Sequence, residues 1–191
     1  MIVLASTSRY RRELLHRLRL PFEVHAPRVD EAPLPNEAAR ALALRLALDK
    51  ASNVAARFTG AIVIGSDQTA ELNGTVIGKP HTHAAALTQL ESMQGRQVVF
   101  HTALAVIDTA GQSQVDCVPT TVTFRSSTRG QLERYLHADQ PYDCTGSAKI
   151  ESFGIVLAER VESTDPTALI GLPLIRLTSM LAIAGVDVLP G

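Results

Sequence analysis

A chain of 191 residues, 46% of them hydrophobic, suffices for one sizeable core or two small lobes around a cleft, and a single domain over 1–191 is the expectation. A formal net charge of −1 provides no basic field to hold long DNA or RNA by its phosphates, although a small anionic ligand needs only a local cluster of cations. No run reaches the ~18 apolar residues of a membrane-spanning helix, and the opening MIVLAS is too short for a signal segment and lacks a basic leader, so the chain is expected in the cytoplasm and off the membrane.

In chain order, residues 2–6 read as a short buried strand that breaks into a Ser-rich turn. A helix over 8–20 follows, with Leu14, Leu15 and Leu18 on one face, arginines around the rest and Ser8 as its N-cap. A second strand is expected over 22–27, then a stiff Pro-rich loop over 28–37 and an Ala/Leu-rich helix from about Glu37 to Arg57. The apolar run 61–67 reads as a buried strand ending in Asp67, and Asn73-Gly74 is the strongest short-range hairpin signal in the chain. Thr82 starts the next helix. The β-branched runs 96–108 and 113–126, joined by 109–112, read as adjacent antiparallel strands, so the sheet is mixed. A capped helix over 127–138, a polar Gly/Ser loop over 141–154, a strand over 155–163 and a closing helix over 171–185 ended by Gly185 complete an α/β alternation.

The polar residues that break the core pattern gather in four places: Ser6, Ser8, Arg11 and Arg12 after the first strand; Asp30 and Glu31 in the Pro-rich loop; Asp67 and Lys79 flanking the hairpin; and Lys149 and Glu151 in the Gly/Ser loop. Strand ends of an open α/β sheet are where ligands bind, because side chains and free helix N-termini converge there. The Ser-rich turn can offer N–H groups, hydroxyls and Arg11 to phosphate oxygens, against the plainer reading of a capped helix with a solvated basic face. A carboxylate such as Asp67 at the end of a buried strand must find a cation, a donor or a ligand. With Asp30 and Glu31 it could supply hard oxygen ligands to Mg²⁺ or Mn²⁺, with Lys79 as a compact charge for a polyphosphate. Taken singly, the acidic loop residues, the Gly-Lys-Pro turn and the His81/His83 pair read as solvated surface or punctuation. Cys117 and Cys144 have no CxxC spacing and read as ordinary reduced thiols.

Six segments, LASTSRYRRELL, VDE, VIGSDQ, IGKP, GSAKIESFGI and GLPL, in this order from about residue 2 to about 176, resemble the Maf family of nucleotide pyrophosphatases. The resemblance implies a Maf-type, ITPase-like α/β fold: an elongated mixed sheet with flanking helices, in two lobes around a central cleft. It implies a homodimer, and a divalent-metal-dependent hydrolase that cuts a nucleoside triphosphate between the α and β phosphorus atoms. On this resemblance Asp67 is the catalytic aspartate, acting as base, metal ligand or both, and Glu31 is the second metal-side carboxylate. Lys79, Arg11 and Lys50 fall where the family places phosphate-binding cations, with Ser6 and Ser8 lining the same turn.

The family divides by base. The pyrimidine branch, acting on dTTP and UTP, carries a neutral glutamine in the late loop, whereas Tyr10, Gln68 and Glu151 here resemble the YceF-like branch acting on 7-methyl-GTP, although that branch often has Pro-Trp where this chain has Arg9-Tyr10. N7 methylation gives guanine a delocalised positive charge, which suits stacking on Tyr10 and pairing of Glu151 with the N1–H and N2–H edge. The rival expectations are a pyrimidine-type pyrophosphatase and a non-catalytic nucleotide-binding regulator of cell division.

Overall fold

The computed structural model describes residues 1–189. Seven strands form one mixed sheet in the order β2-β1-β3-β5-β6-β7, with β4 attached to β3. β1 (Ile2–Ala5) lies parallel to both β2 (Glu23–His25) and β3 (Ile62–Leu72), while β4 (Thr75–Ile77), β5 (Gln97–Ile107), β6 (Ser113–Phe124) and β7 (Ala158–Ser163) are joined antiparallel. The Asn73-Gly74 turn between β3 and β4 has φ of +51° and +80°, the left-handed pair a two-residue hairpin requires.

β3 departs from the sequence expectation. It continues to Leu72, so Asp67 sits in the middle of a strand instead of at its end. The reason is β5, which pairs with every residue from Val63 to Glu71 and holds the backbone extended through the polar stretch. Alternation then sends Ser66 and Gln68 to one face and Asp67 and Thr69 to the other. Smaller differences lie at element ends. α1 (Arg9–His16) stops early in a turn that places Arg19 at φ +56°, and residues 153–157 form a 3₁₀ turn before β7 begins.

On one face, Val3, Ala5, Val63, Ala103 and Ala105 pack against α2 (Ala39–Ala55) through Ala43, Ala47 and Ala51. The small residues allow a close crossing, and Gly65 makes it possible. A Cβ there would lie 2.2 Å from the Ala47 carbonyl oxygen and 2.9 Å from the Ala51 Cβ. The opposite face carries two apolar clusters. Ile2, Leu4, Ile62, Ile64 and Leu104 pack with α1 and α5 (Leu174–Ile183), whereas Ala70, Val98, Phe100 and Val122 pack with α3 (His83–Met93) and α4 (Arg129–Asp139). Between them runs a polar band: Ser66 donates to the Gly171 carbonyl at 3.0 Å, Thr102 to that of Ala168 at 2.9 Å, and Gln68 to that of Leu169 at 2.9 Å. The 168–171 segment is thereby laid across the sheet, dividing that face into two lobes.

Candidate active site

Along the edge of β3, β1 pairs only as far as Gly65, and β4 begins only at Ala70. Residues 66–69 therefore have no strand beside them on that side, and the gap opens into a cleft of about 830 Å³. Its size is that of sites for small organic ligands, and it lies at a switch in strand order where α/β sheets bind them.

The close crossing of α2 over Gly65 brings Lys50, on the same helix, down onto the sheet. Lys50 Nζ donates to Asp67 Oδ1 at 2.6 Å and meets Glu31 Oε1 at 2.8 Å. The Lys50 and Asp67 side chains are 7% and 10% exposed, whereas that of Glu31 is 60% exposed. Burial pushes the Glu31 carboxyl up, but the hydrogen bond and charge of Lys50, with Lys79 and Arg11 beyond, outweigh it and hold the carboxyl below its ordinary range. Arg11 donates from Nε to the Gly171 carbonyl at 2.9 Å. Its burial lowers its pKa, while the charges of Asp67 and Glu31 oppose that shift. Lys79 is exposed on the cleft rim just beyond β4. At this lip three cations, Lys50, Arg11 and Lys79, thus stand with two carboxylates, a local positive balance suited to a polyphosphate.

Ser6 and Ser8 shape the turn before α1. Ser6 Oγ accepts from the Ser8 N–H at 3.1 Å, and Ser8 caps α1 by accepting from the Arg11 N–H. Both hydroxyls keep a hydrogen to donate, at a helix N-terminus that opens into the cleft. On the next turn, Tyr10 is half-buried in the cleft wall, and the Arg9 guanidinium carbon lies 4.7 Å from its ring centroid while Arg9 Nη2 donates to its hydroxyl at 2.8 Å.

Across the cleft, the 141–154 loop brings Glu151, Asp143 and Cys144 to the opposite lip. Glu151 forms no ion pair among the described residues: Lys149 Nζ is engaged by the Asp139 carbonyl at 2.9 Å, and Arg11 by that of Gly171. Glu151 keeps exposed surface, but the cleft wall shields its carboxyl in part and raises it, with Asp139 adding to the shift, against its own backbone N–H and Lys149. The Cys144 thiol is pushed up to about 12 by burial first and by Asp143 second, so it stays protonated and unreactive.

One residue singled out from sequence lies elsewhere, and a second reaches the cleft with its amide hydrogens already engaged. Asp30 lies outside the cleft, where its Oδ1 accepts from the Ala32 N–H and closes a local turn. Gln68 reaches the cleft wall, but its amide hydrogens go to Thr102 Oγ1 and the Ala168 and Leu169 carbonyls, so it anchors the 168–171 segment. That segment is a wall the sequence reading did not foresee: Gly171, at φ +120°, receives both Arg11 and Ser66 on its carbonyl. The GLPL motif was its visible signal, with Asp165 buried behind it accepting from the Ile175 and Arg176 N–H groups at the start of α5. Thr69, which donates to the Ala39 carbonyl at the start of α2, was also missed.

Comparison with known proteins finds sequence matches over nearly the whole chain. Residues 1–184 match the family model described as Maf-like protein. A Thiobacillus denitrificans protein named 7-methyl-GTP pyrophosphatase is 59% identical over 98% of this chain and 94% of its own. Proteins of the same name from Polaromonas sp. and Ralstonia nicotianae are each 58% identical, over 97% and 94% of this chain and 85% and 93% of theirs. Among solved structures, the Staphylococcus aureus Ham1 protein aligns at 17% identity over 66% of this chain and 72% of its own, with a TM-score of 0.47. With residues 1–184 matched by the family model and relatives 58–59% identical over nearly its whole length, the chain belongs to the Maf-like protein family.

Proposed function

We propose that this protein is a nucleoside triphosphate pyrophosphatase that hydrolyses 7-methyl-GTP to 7-methyl-GMP and pyrophosphate. The observation that carries the reading is a buried carboxylate, Asp67, fixed by Lys50 inside a cleft that also presents Arg11 and Lys79. The names of the relatives at 58–59% identity support the same nucleotide.

Lys50 holds Asp67 by Oδ1 alone, and Oδ2 has no protein partner among the described residues, so one carboxylate oxygen is left to take a proton. Water attacks the α-phosphorus as Asp67 removes its proton. The α–β bridging bond breaks, and its electron pair leaves on pyrophosphate, where Lys79, Arg11 and the α1 N-terminus meet the accumulating charge. Tyr10 and Glu151 take the base, the one by stacking and the other by accepting from its N1–H and N2–H edge.

The donor set fits a divalent cation of the Mg²⁺ or Mn²⁺ kind. Among the described residues no cluster of three or more His, Cys, Asp or Glu side chains could cage a metal, but Asp67 and Glu31 offer two hard oxygen donors, and such ions commonly take one or two carboxylates with water and substrate phosphates as the rest. When bound, the cation would neutralise polyphosphate charge beside the carboxylates. Hydrolysis should stop on chelation and return with Mg²⁺ or Mn²⁺, and full activity in excess EDTA would remove the metal from the reading.

The reading includes one catalytic domain over residues 1–191, of which 190 and 191 lie outside the described residues, acting on free nucleotides in the cytoplasm as a homodimer. Among the described residues no helix is long and apolar enough to cross a membrane. The test is hydrolysis of a panel of 7-methyl-GTP, GTP, UTP and dTTP with product identification. Release of pyrophosphate and 7-methyl-GMP is expected. Preference for UTP or dTTP would favour the pyrimidine-type activity, and binding without turnover a regulatory role.

A further inference from the structure

The sheet ends in two free edges of unequal length. β2 offers three residues, whereas β7 offers six, all exposed after Ala158. β7 contains neither the proline nor the lysine that commonly blocks an edge strand. Val161 at its centre is 41% exposed, and Phe153, Ile155 and Val156 in the turn leading into it are 48–53% exposed. Arg160 Nε pairs with Glu162 Oε2 at 3.2 Å along the strand, so these two side chains share a face.

We propose that β7 docks against β7 of a second copy of this chain, antiparallel about a two-fold axis at Val161, continuing the sheet from one subunit into the next. In that register Val161 meets its own copy, Arg160 lies opposite Glu162, and Glu162 lies opposite Arg160. The charge order Glu159-Arg160-Val161-Glu162 selects this alignment. An axis at Arg160 opposes two guanidinium groups, and one at Glu162 opposes two carboxylates. An axis at Glu159 likewise opposes two carboxylates, and no axis can fall between two residues, because opposed residues share a face and consecutive residues do not. The Val161 alignment alone pairs opposite charges, and cross-strand neighbours of opposite sign stabilise a sheet while like charges weaken it.

This deepens the homodimer part of the reading above and is independent of the substrate. Sedimentation velocity of the full chain over a concentration series tests it. The wild type should dimerise. Arg160→Glu and Glu162→Arg each create like-charge pairs twice by symmetry, and each should raise the dimer dissociation constant about tenfold or more. The double variant R160E/E162R restores the pattern and should restore the dimer. Hydrolysis per subunit and thermal unfolding serve as fold controls, since both residues lie away from the cleft. A wild type that stays monomeric overturns the homodimer and this surface together. A dimer indifferent to Arg160→Glu, or a double variant that stays dissociated, overturns the surface alone.

Discussion

The two lips of the cleft are built in opposite ways. On the lip formed by β3 and α2, the charges are committed to one another before any ligand arrives: Lys50 joins Asp67 and Glu31, and two of these three side chains are buried. On the lip formed by the 141–154 loop, Glu151 keeps exposed surface and has no ion-pair partner among the described residues, on backbone that makes only short 3₁₀ turns. On the proposed reading the reacting groups would sit on a rigid helix–sheet crossing, where orientation is fixed by packing, and Glu151 would select the base from a loop that can vary without disturbing them. The contrast predicts that changes on the first lip reduce turnover of every nucleotide and that changes on the second redistribute activity among nucleotides.

The largest effect is expected at Asp67. Asp67→Asn keeps the size and removes the proton acceptor, so kcat should fall roughly 10²- to 10⁴-fold for all substrates while the fold survives. Near-wild-type turnover, measured by pyrophosphate release, would end the catalytic assignment. Lys50→Met comes next. It leaves the buried Asp67 carboxylate uncompensated, so unfolding in urea should show a loss of about 3 kcal/mol, with turnover reduced alike for all nucleotides. A variant as stable as the wild type would mean that Lys50 does not hold the cluster together.

Glu151→Gln probes the second lip. A carboxylate accepts two hydrogen bonds from the guanine edge and donates none, whereas glutamine turns an amide donor toward it. kcat/KM should fall on the order of 10- to 100-fold for 7-methyl-GTP, with little change for UTP. An equal loss across the panel would deny Glu151 a role in base recognition. The same group sets a pH dependence. Its pKa is raised by burial, so the accepting carboxylate exists only above that raised value. The preference for 7-methyl-GTP should decline as pH falls through it, and in the glutamine variant that decline should disappear.

Sequence alone revealed the elements that local signals specify. Ser8 capping α1, the Asn73-Gly74 hairpin and the antiparallel β5–β6 pair are each written in neighbouring residues. What escaped it depends on distant partners. Asp67 reads as a strand end because polar residues interrupt an apolar run, and only the pairing with β5 shows that the strand continues. Lys50 within an Ala/Leu helix has no local mark of burial, because its place is set by a helix crossing at Gly65 that chain order does not display. Nothing near Gln68 announces that carbonyls a hundred positions on will take its amide hydrogens, although the residue does line the cleft. Among the named site residues, those carried by family resemblance line the cleft, while the purely compositional pairing of Asp30 with Glu31 separates in space.

The smallest expected effect concerns Arg9, and it tests whether the start of α1 acts with the loop lip on the base. Arg9 already lies over the ring of Tyr10 and donates to its hydroxyl, so the stacking residue carries a resident cation. A base stacked on the other ring face would lie roughly 8 Å from that guanidinium, where a unit positive charge is repelled weakly and a neutral ring not at all. Arg9 should therefore blunt the advantage that methylation gives to guanine. Arg9→Gln should raise the ratio of kcat/KM for 7-methyl-GTP over GTP by about two- to fivefold, and Arg9→Lys, which keeps the charge, should leave it near the wild-type value. If Arg9 instead binds the triphosphate, Arg9→Gln should raise KM for both nucleotides equally and leave their ratio unchanged. Tyr10→Ala separates this from a failure of stacking itself: it should lower the ratio where Arg9→Gln raises it, and a ratio unmoved by both substitutions would leave base selection to the loop lip alone.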